Sequence, residues 1–390
     1  MRKCLLGDIA DIQTGPFGSQ LHSRDYAANH GTPIVTVEHL GERKFACQNL
    51  PLVKDEDKLR LLKYTMLPGD IIFSRVGSVD RCSYALEENS GWLFSGRCLR
   101  IRCNGEVDPT FLYFYLSSVK VKSFIRRIAV GATMPSINTS IMGEIPIELP
   151  SLDVQKAIGE FITLLDEKFE LNNQINDYLA KLADSYFKEA FNSLETNAQL
   201  SDIAQVTMGQ SPAGTSYNEE GKGAVFYQGR GDFGWRYPTQ RLFTTEPKRM
   251  ASKNDVLMSV RAPVGDLNIA FEDCCIGRGL AAIHSDYQSY VLYLMRSLKS
   301  QLDTYNGEGT VFGSINGKAL KAFPIALPTI TAIGDFQNFV KPIDDVIRCN
   351  EQENRDLEEL RDFLLPKLMS GEIDVSKIDI TRLNNHLSDC

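Results

Sequence analysis

The sequence predicts a mixed α/β (α+β) chain built twice: two similar globular domains, each followed by a long helix. Three observations carry this. Residues 151–192 and 329–370 share one apolar spacing. Each is preceded by the same kind of lead-in, Ile145-Pro146-Ile147-Glu148-Leu149-Pro150 and Phe323-Pro324-Ile325-Ala326-Leu327-Pro328. Short β-type motifs of the first globular stretch also recur in order in the second.

The helices are the clearest elements. Ile158, Ile162, Leu165, Phe169, Asn172, Asn176, Leu179, Ala183, Tyr186 and Ala190 keep a 3-4 spacing, and no Gly or Pro follows Gly159. That spacing marks a coiled-coil helix. A shift of 178 gives Phe336, Val340, Ile343, Ile347, Asn350, Asn354, Leu357, Arg361, Leu364 and Leu368. Ser151 and Thr329 stand at the N-cap positions. About 40 residues at 1.5 Å each make roughly 60 Å of helix, a ruler or strut. Asn172 and Asn176 recur as Asn350 and Asn354, and on a buried seam such residues fix register; on a rotated seam they face solvent. Pro342 stands where the first helix has Leu164, so a kink or a break after Val340 is expected.

The first globular stretch, 1–150, has strand patterns at Ile34–Val37, Ile71–Ser74 and Leu99–Arg102. Asp108-Pro109 starts a helix expected to reach about Ile128. The second stretch, 199–328, repeats Leu6-Gly7-Asp8-Ile9-Ala10 as Leu200-Ser201-Asp202-Ile203-Ala204, Gly69–Ser74 as Asn254–Ser259, Gly96–Leu99 as Gly277–Leu280, and Pro135–Asn138 as Gly313–Asn316. The offsets run 194, 185, 181 and 178, so the globular parts tolerate insertion while helix length is held. The expected division is 1–150, a central helix 151–198, 199–328, and a C-terminal helix and tail 329–390.

Composition is that of an ordinary globular protein, 43% hydrophobic and 24% charged. No apolar run suggests a membrane helix or a signal peptide. Nine Cys without a Cys-x-x-Cys pair, and only five His, point to free thiols in a cytoplasmic location without a zinc site. The net charge of −8 is unevenly spread. Residues 1–150 are net +2 and 199–328 net +1, whereas 151–198 are net −5 and 329–390 net −6. The acidic helices suit protein partners, and the slightly basic domains leave nucleic acid open.

No catalytic motif emerges. There is no Gly-x-Gly-x-x-Gly after a strand, Gly221-Lys222 lacks the upstream glycine of a phosphate loop, and no Asn/Asp-Pro-Pro-Tyr/Phe run occurs. Asp55-Glu56-Asp57-Lys58 reads as a solvated charged loop, and His284-Ser285-Asp286 has no nucleophile geometry.

The candidate binding residues lie in repeated loops. Arg75 precedes Val76-Gly77, and Arg261 stands at what reads as the same place in the second stretch. An Arg at a strand end reaches a phosphate or a guanine edge, or else clamps a carbonyl. Arg97 and Arg278 invite the same two readings. Gly15, Phe17, Ser19, Gln210 and Ser211 lie in loops of small and polar residues suited to phosphate contact or to simple turns. Thr133, Ser136, Asn138, Ser314 and Asn316 stand just before the lead-ins, and Tyr227, Gln228 and Arg230 offer polar and aromatic groups to base edges.

Taken together, the Leu-x-Asp-Ile-Ala opening, the Gly-Asp-Ile/Val strand, Ser-Ile-Asn, Ile/Phe-Pro-Ile-x-Leu-Pro and the long helix resemble the specificity (S) subunits of type I restriction–modification systems over nearly the whole chain. The resemblance implies two target recognition domains held in inverted orientation by two antiparallel coiled-coil helices, a pseudo-twofold internal repeat. Each domain would read one half of a bipartite, asymmetric double-stranded DNA target. The chain itself would be non-catalytic and without a cofactor. Two modification (M) subunits would bring S-adenosylmethionine, and restriction (R) subunits ATP and Mg. Helix contact would rest on Ile162, Leu165, Asn172, Asn176 and Leu179 with Ile343, Ile347, Asn350, Asn354 and Leu357. A self-contained methyltransferase or nuclease fragment and a non-DNA adaptor scaffold are the alternatives.

Overall fold

A computed structural model describes residues 1–16, 18, 20–22, 25–131, 133–191, 193–307 and 313–378. In chain order the elements begin β1 (Arg2–Leu5), α1 (Leu6–Ile9), β2 (Ala10–Thr14), β3 (Tyr26–Ala27), β4 (Thr32–Val35), β5 (Leu52–Val53), α2 (Asp55–Arg60), β6 (Ile71–Ser74), β7 (Cys82–Tyr84), β8 (Leu93–Phe94) and β9 (Cys98–Cys103). There follow α3 (Pro109–Ser117), α4 (Val119–Ile128), α5 (Thr139–Gly143), β10 (Pro146–Leu149) and the long α6 (Leu152–Phe191). The second half has β11 (Ala198–Gln199), β12 (Gln205–Met208), β13 (Tyr217–Asn218), β14 (Ala224–Tyr227), β15 (Phe243–Thr244), β16 (Met250–Ala251), β17 (Val256–Ser259), β18 (Leu267–Ile269), β19 (Cys274–Ile276) and β20 (Leu280–His284). It closes with α7 (Gln288–Ser297), α8 (Lys299–Leu302), α9 (Gly317–Lys321), β21 (Pro324–Ile325) and α10 (Ile330–Ser370).

Two compact units result: Met1–Leu171 with Gln352–Cys390, and Asn172–Glu351. Each therefore takes half of each long helix.

In the first unit an antiparallel sheet of order β2-β9-β6-β7 lies beside a second sheet of order β3-β5-β4-β8. β6 is buried along its whole length and serves both. Its alternation sends Ile71 and Phe73 to the helix-side core and Ile72 to the core of the second sheet. The second unit repeats this with β12-β20-β17-β18 and β13-β15-β14-β19-β16. There Val256 and Met258 join one core and Leu257 the other.

The expected strand over 34–37 is shifted. β4 ends at Val35, and Val37–His39 forms a single 3-10 turn. The single helix expected over 109–128 is two. Asp108 caps the first through Phe111 N (2.8 Å), and the chain turns extended at Ser118, whose Oγ accepts from Val121 N and caps the second. Asp55–Arg60 is a short helix, where a loop was expected.

α6 and α10 run antiparallel within each unit. In the first, Asp166 faces Arg361 (3.5 Å) and Lys168 faces Glu353 (3.2 Å), so partner numbers fall as helix numbers rise. Ile158, Ile162, Leu165, Leu357, Leu365 and Leu368 share the core there. In the second, Asn350 Nδ2 donates to Asn176 Oδ1 (2.8 Å), and Tyr186 stacks on Phe336 (5.5 Å). Ile347 is buried, and Leu179 and Ile343 pack against the same core. Asn172 and Asn176 are each 1% exposed and Asn354 is 5% exposed, so none of the three faces solvent. Toward the end of α6 the seam drifts: Ala180, Ala183, Phe187 and Phe191 are buried, while Ala190 is exposed. A helix of 3.6 residues per turn drifts off a 3.5 repeat in this way. α10 runs unbroken through Pro342, so the expected break is absent.

One arrangement, an Arg of the head near a carboxylate of a long helix, recurs in both units without any signal in the sequence pattern. In the second unit Arg236 of a head loop, 5% exposed, pairs with Asp344 of α10, and Tyr293 Oη donates to the same carboxylate (2.9 Å). In the first unit Asp166 of α6 lies in the fields of Arg361 and Arg43, beside Tyr113. Arg43 and Arg236 are equivalent, because each carbonyl accepts from the edge strand of the main sheet, Tyr84 N (2.8 Å) and Ile269 N (2.9 Å). Burial raises the Asp166 carboxyl above its ordinary range, although Arg361 and Arg43 act to lower it.

Candidate nucleic-acid interface

At one end of each main sheet the same loops converge. In the first unit they follow β2, join β6 to β7, precede β9 and follow α4. Gly15 N donates to Cys98 O (3.2 Å), Arg75 N to Arg97 O (2.8 Å), and Ile137 N to Arg75 O (2.9 Å). The second unit has Gly209 N to Leu280 O (2.9 Å), Val260 N to Gly279 O (2.9 Å), and Ile315 N to Val260 O (3.0 Å). Gly15 and Gly209 are obligatory here. A Cβ on either would stand 2.1 Å from a backbone oxygen, of Ser95 or of Gly277.

This register corrects two expected equivalences. Arg75 matches Val260, and Arg261 matches Val76, since Val76 bridges Ser136 while Arg261 bridges Ser314. Ser74 pairs with Cys98 and Ser259 with Leu280, so Arg97 matches Gly279 and Arg278 matches Gly96. Neighbouring residues of an extended chain point to opposite sides. Arg75 and Arg261 therefore leave the backbone in opposite directions.

The Arg side chains accordingly have different roles. Arg75 is half-buried and donates from Nη1 to Gly96 O (3.3 Å), a carbonyl clamp. Arg97, Arg261 and Arg278 are exposed and make no ion pair among the described residues. Arg230 is exposed but pairs with Asp266 (2.8 Å), which also holds Lys299 (2.9 Å). Burial would raise the Asp266 carboxyl, but hydrogen bonds from Lys299 and Arg230 outweigh it and hold the group below its ordinary range.

Of the remaining candidates, Thr133, Gln210, Gln228 and Ser314 are exposed at these loops. Ser136 Oγ donates to Val130 O (3.2 Å), and Ser211 Oγ accepts from Arg278 N (3.3 Å). Asn138 and Asn316 cap α5 and α9, accepting from Ile141 N (2.8 Å) and Ala319 N (2.9 Å), so their Oδ1 atoms are engaged. Tyr227 is a correction: it is 1% exposed in the core of the second sheet and presents no edge to a base. It ends β14 beside Ile276 of β19, and both side chains lie in that core. Gly15 is buried and contributes backbone geometry only. Phe17 and Ser19 lie outside the described residues.

His284 Nδ1 meets Asp255 Oδ1 (2.6 Å), but Ser285 Oγ donates instead to Ile203 O (2.7 Å), so the three form no relay. Among the described residues no group of three His, Cys, Asp or Glu side chains is placed to hold a metal ion. No helix there is long and apolar enough to cross a membrane.

The sequence pattern of the family described as "Type I restriction modification DNA specificity domain" matches residues 2–181 and again 195–361.

The chain belongs to the type I restriction–modification specificity subunit family.

Among its relatives is the putative type I restriction enzyme MjaX specificity subunit of Methanocaldococcus jannaschii, 31% identical over 374 residues and covering 88% of each chain. The HindI specificity subunit of Haemophilus influenzae is 21% identical over 461 residues, 94% of this chain and all of that one (100%). The crystal structure of the type I S subunit from M. genitalium shares the fold, with a TM-score of 0.63 at 17% identity over 94% of this chain and 95% of that one. The doubled family match agrees with the doubled head-and-helix architecture.

A second surface of this specificity subunit was not read from the sequence. In the second unit Ile175, Tyr178 and Leu182 are exposed, and their 3-4 spacing puts them on one face of α6. Phe339 and Val346, seven apart, are exposed on α10. Tyr186, four residues beyond Leu182, meets Phe339 edge-on (4.7 Å) and joins the two rows. The signal was available as a second 3-4 stripe, one residue ahead of the buried seam.

Proposed function

We propose that this chain is the sequence-reading subunit of a type I restriction–modification complex. Each unit reads one half of a bipartite, asymmetric duplex DNA target. The observation that carries this reading is the repeated sheet end, where each unit offers an exposed Arg without an ion pair among the described residues, set in glycine-tight loops: Arg97 in the first, Arg261 and Arg278 in the second. Arg at such a place supplies the bidentate fork suited to guanine O6 and N7 or to phosphate.

In this reading the long helices set the spacer and dock two M subunits, with R subunits joining the same complex. The exposed apolar face of Ile175, Tyr178, Leu182, Phe339 and Val346 supports a protein partner, since contiguous exposed apolar patches mark interaction sites. The chain is non-catalytic and acts in the cytoplasm. S-adenosylmethionine comes with the M subunits, and ATP and Mg with the R subunits.

The test is to co-express the chain with its M subunit and sequence the methylated adenines. One bipartite motif is expected, and exchange of residues 199–328 for another recognition domain is expected to change one half of it. Change in both halves refutes the modular reading. Binding of S-adenosylmethionine by the purified chain alone would favour a self-contained methyltransferase. Absence of salt-dependent duplex binding by the assembled complex would favour a non-DNA scaffold.

A further inference from the structure

Helix α4 is the most one-sided charged element of the described heads. Val121 and Ile125, one turn apart, are buried and fix its inner face. The rest carries Lys120, Lys122, Arg126 and Arg127 with no acidic residue, in a chain of net charge −8. Arg126 donates from Nε to Asp80 (2.8 Å), which ties the helix to the loop between β6 and β7. That loop starts at Arg75, so the C-terminal end of α4 sits at the same sheet end as Arg97 and Thr133. Lys120, Lys122 and Arg127 make no ion pair among the described residues.

Among the described residues the second unit has no such helix. Its counterpart is α8 with the turn Asp303–Asn306, placed by Val264 N donating to Asn306 Oδ1 and by the fit of Leu302 against Gly265. Lys299 there is held by Asp266 (2.9 Å) and Asp303 (2.9 Å), which neutralise it. One base and one acid stand where the first unit has four bases.

We propose that α4 is a phosphate-contacting helix. It lies along the sugar-phosphate backbone beside the half-target read by the first unit. That unit consequently supplies most of the salt-dependent, sequence-independent affinity. The eight residues from Lys120 to Arg127, seven rises of about 1.5 Å, span about 10 Å of helix. That equals roughly three steps of 3.4 Å along one DNA strand. The inference rests on the DNA-reading function proposed above and adds an asymmetry to it.

The experiment uses the complex assembled with M subunits and measures duplex binding by fluorescence anisotropy across a salt series. The duplexes are the methylated target sequence and a scrambled one. The triple variant Lys120→Ala, Lys122→Ala, Arg127→Ala is expected to weaken both duplexes by the same factor. Its slope of log affinity against log salt should be shallower by about two to three, at about 0.9 per lost phosphate contact, with the methylated motif unchanged. The converse variant Gln301→Lys, Thr304→Lys in the second unit, both exposed positions, should steepen the slope by up to about two. An unchanged slope in both variants overturns the proposal. So does a loss confined to the target duplex, which would make α4 a base reader, or loss of M subunits from the triple variant, which would make it a protein-docking helix. If the unaltered complex shows neither salt-dependent binding nor methylation, the DNA-reading function fails first, and the two failures are thereby distinguished.

Discussion

Arg236 and Asp344 form a buried ion pair between a head loop and the long helix α10 of the second unit, with Tyr293 Oη donating to the same carboxylate. Asp166, the residue 178 earlier, stands at the equivalent helix position in the first unit and meets Arg361 as well as the field of Arg43. The same carboxylate thus lies in the field of a head Arg in both units, paired directly in the second, whereas in the first the ion pair comes from Arg361 of the partner helix.

Removal of one partner from a fully buried pair costs about 3–5 kcal/mol, an upper bound here because Asp344 keeps 15% of its side chain exposed. Arg236→Met is therefore expected to destabilise the second unit by that order, and Arg236→Met with Asp344→Leu to recover most of it. Arg43→Met should cost less, because Arg361 still faces Asp166. Urea unfolding of the three variants measures the difference; equal losses for Arg43→Met and Arg236→Met would contradict the assignment.

Asn176 and Asn350 make a hydrogen bond across the antiparallel helices. A single Asn176→Leu leaves the Asn350 amide without that acceptor, at a cost of about 1–3 kcal/mol. The double change to Leu should raise the thermal midpoint while loosening register, because polar seam residues trade stability for specificity. Cysteine pairs placed at neighbouring seam positions would report this: one cross-linked register is expected in the parent, and several in the double variant.

Arg97→Ala should relax one half of the methylated motif only, and Arg261→Ala or Arg278→Ala only the other half. Each lost bidentate base contact is worth about 1–3 kcal/mol of discrimination. Arg75→Ala should leave the motif intact and lower stability, because its guanidinium is engaged with Gly96 O. A changed motif in Arg75→Ala would show that the clamp opens on DNA.

Asp266 gives a pH signature. Its carboxyl is held below the ordinary range in the folded chain by Lys299 and Arg230. A depressed acid contributes stability that is complete above the unfolded value of about 4 and is lost as pH falls through the lower folded value. Asp266→Asn should therefore be less stable than the parent at pH 6, with the gap closing below about pH 4. Unfolding curves at pH 3, 4, 5 and 6 check the sign; a gap that widens toward acid would exclude it.

Much of the fold is legible in the sequence because it follows from local pattern. The strand at Ile71–Ser74 is apolar at every position but its last, and Asp108 before Pro109 starts a helix wherever the chain goes. The site is less legible. Ser118 breaks a helix whose apolar residues continue through it, because its hydroxyl offers the next turn a cap. The Arg clamps were invisible for a different reason. Arg43 and Arg236 differ by 193, Tyr113 and Tyr293 by 180, and Asp166 and Asp344 by 178. No single shift superposes three residues separated by loops of changing length.

By itself the sequence determined the repeat, the two long helices and their common 178-residue offset, since helical period and turn chemistry act over a few residues at a time. Only the tertiary structure decided which polar side chains are left for a ligand. Arg75 is engaged by a carbonyl, Asn138 and Asn316 by helix ends, and Tyr227 by the core, whereas Arg97, Arg261 and Arg278 face outward. The physical reason is strand parity. A step of one residue turns a side chain to the opposite face of a sheet, and that step depends on which distant strand the chain pairs with.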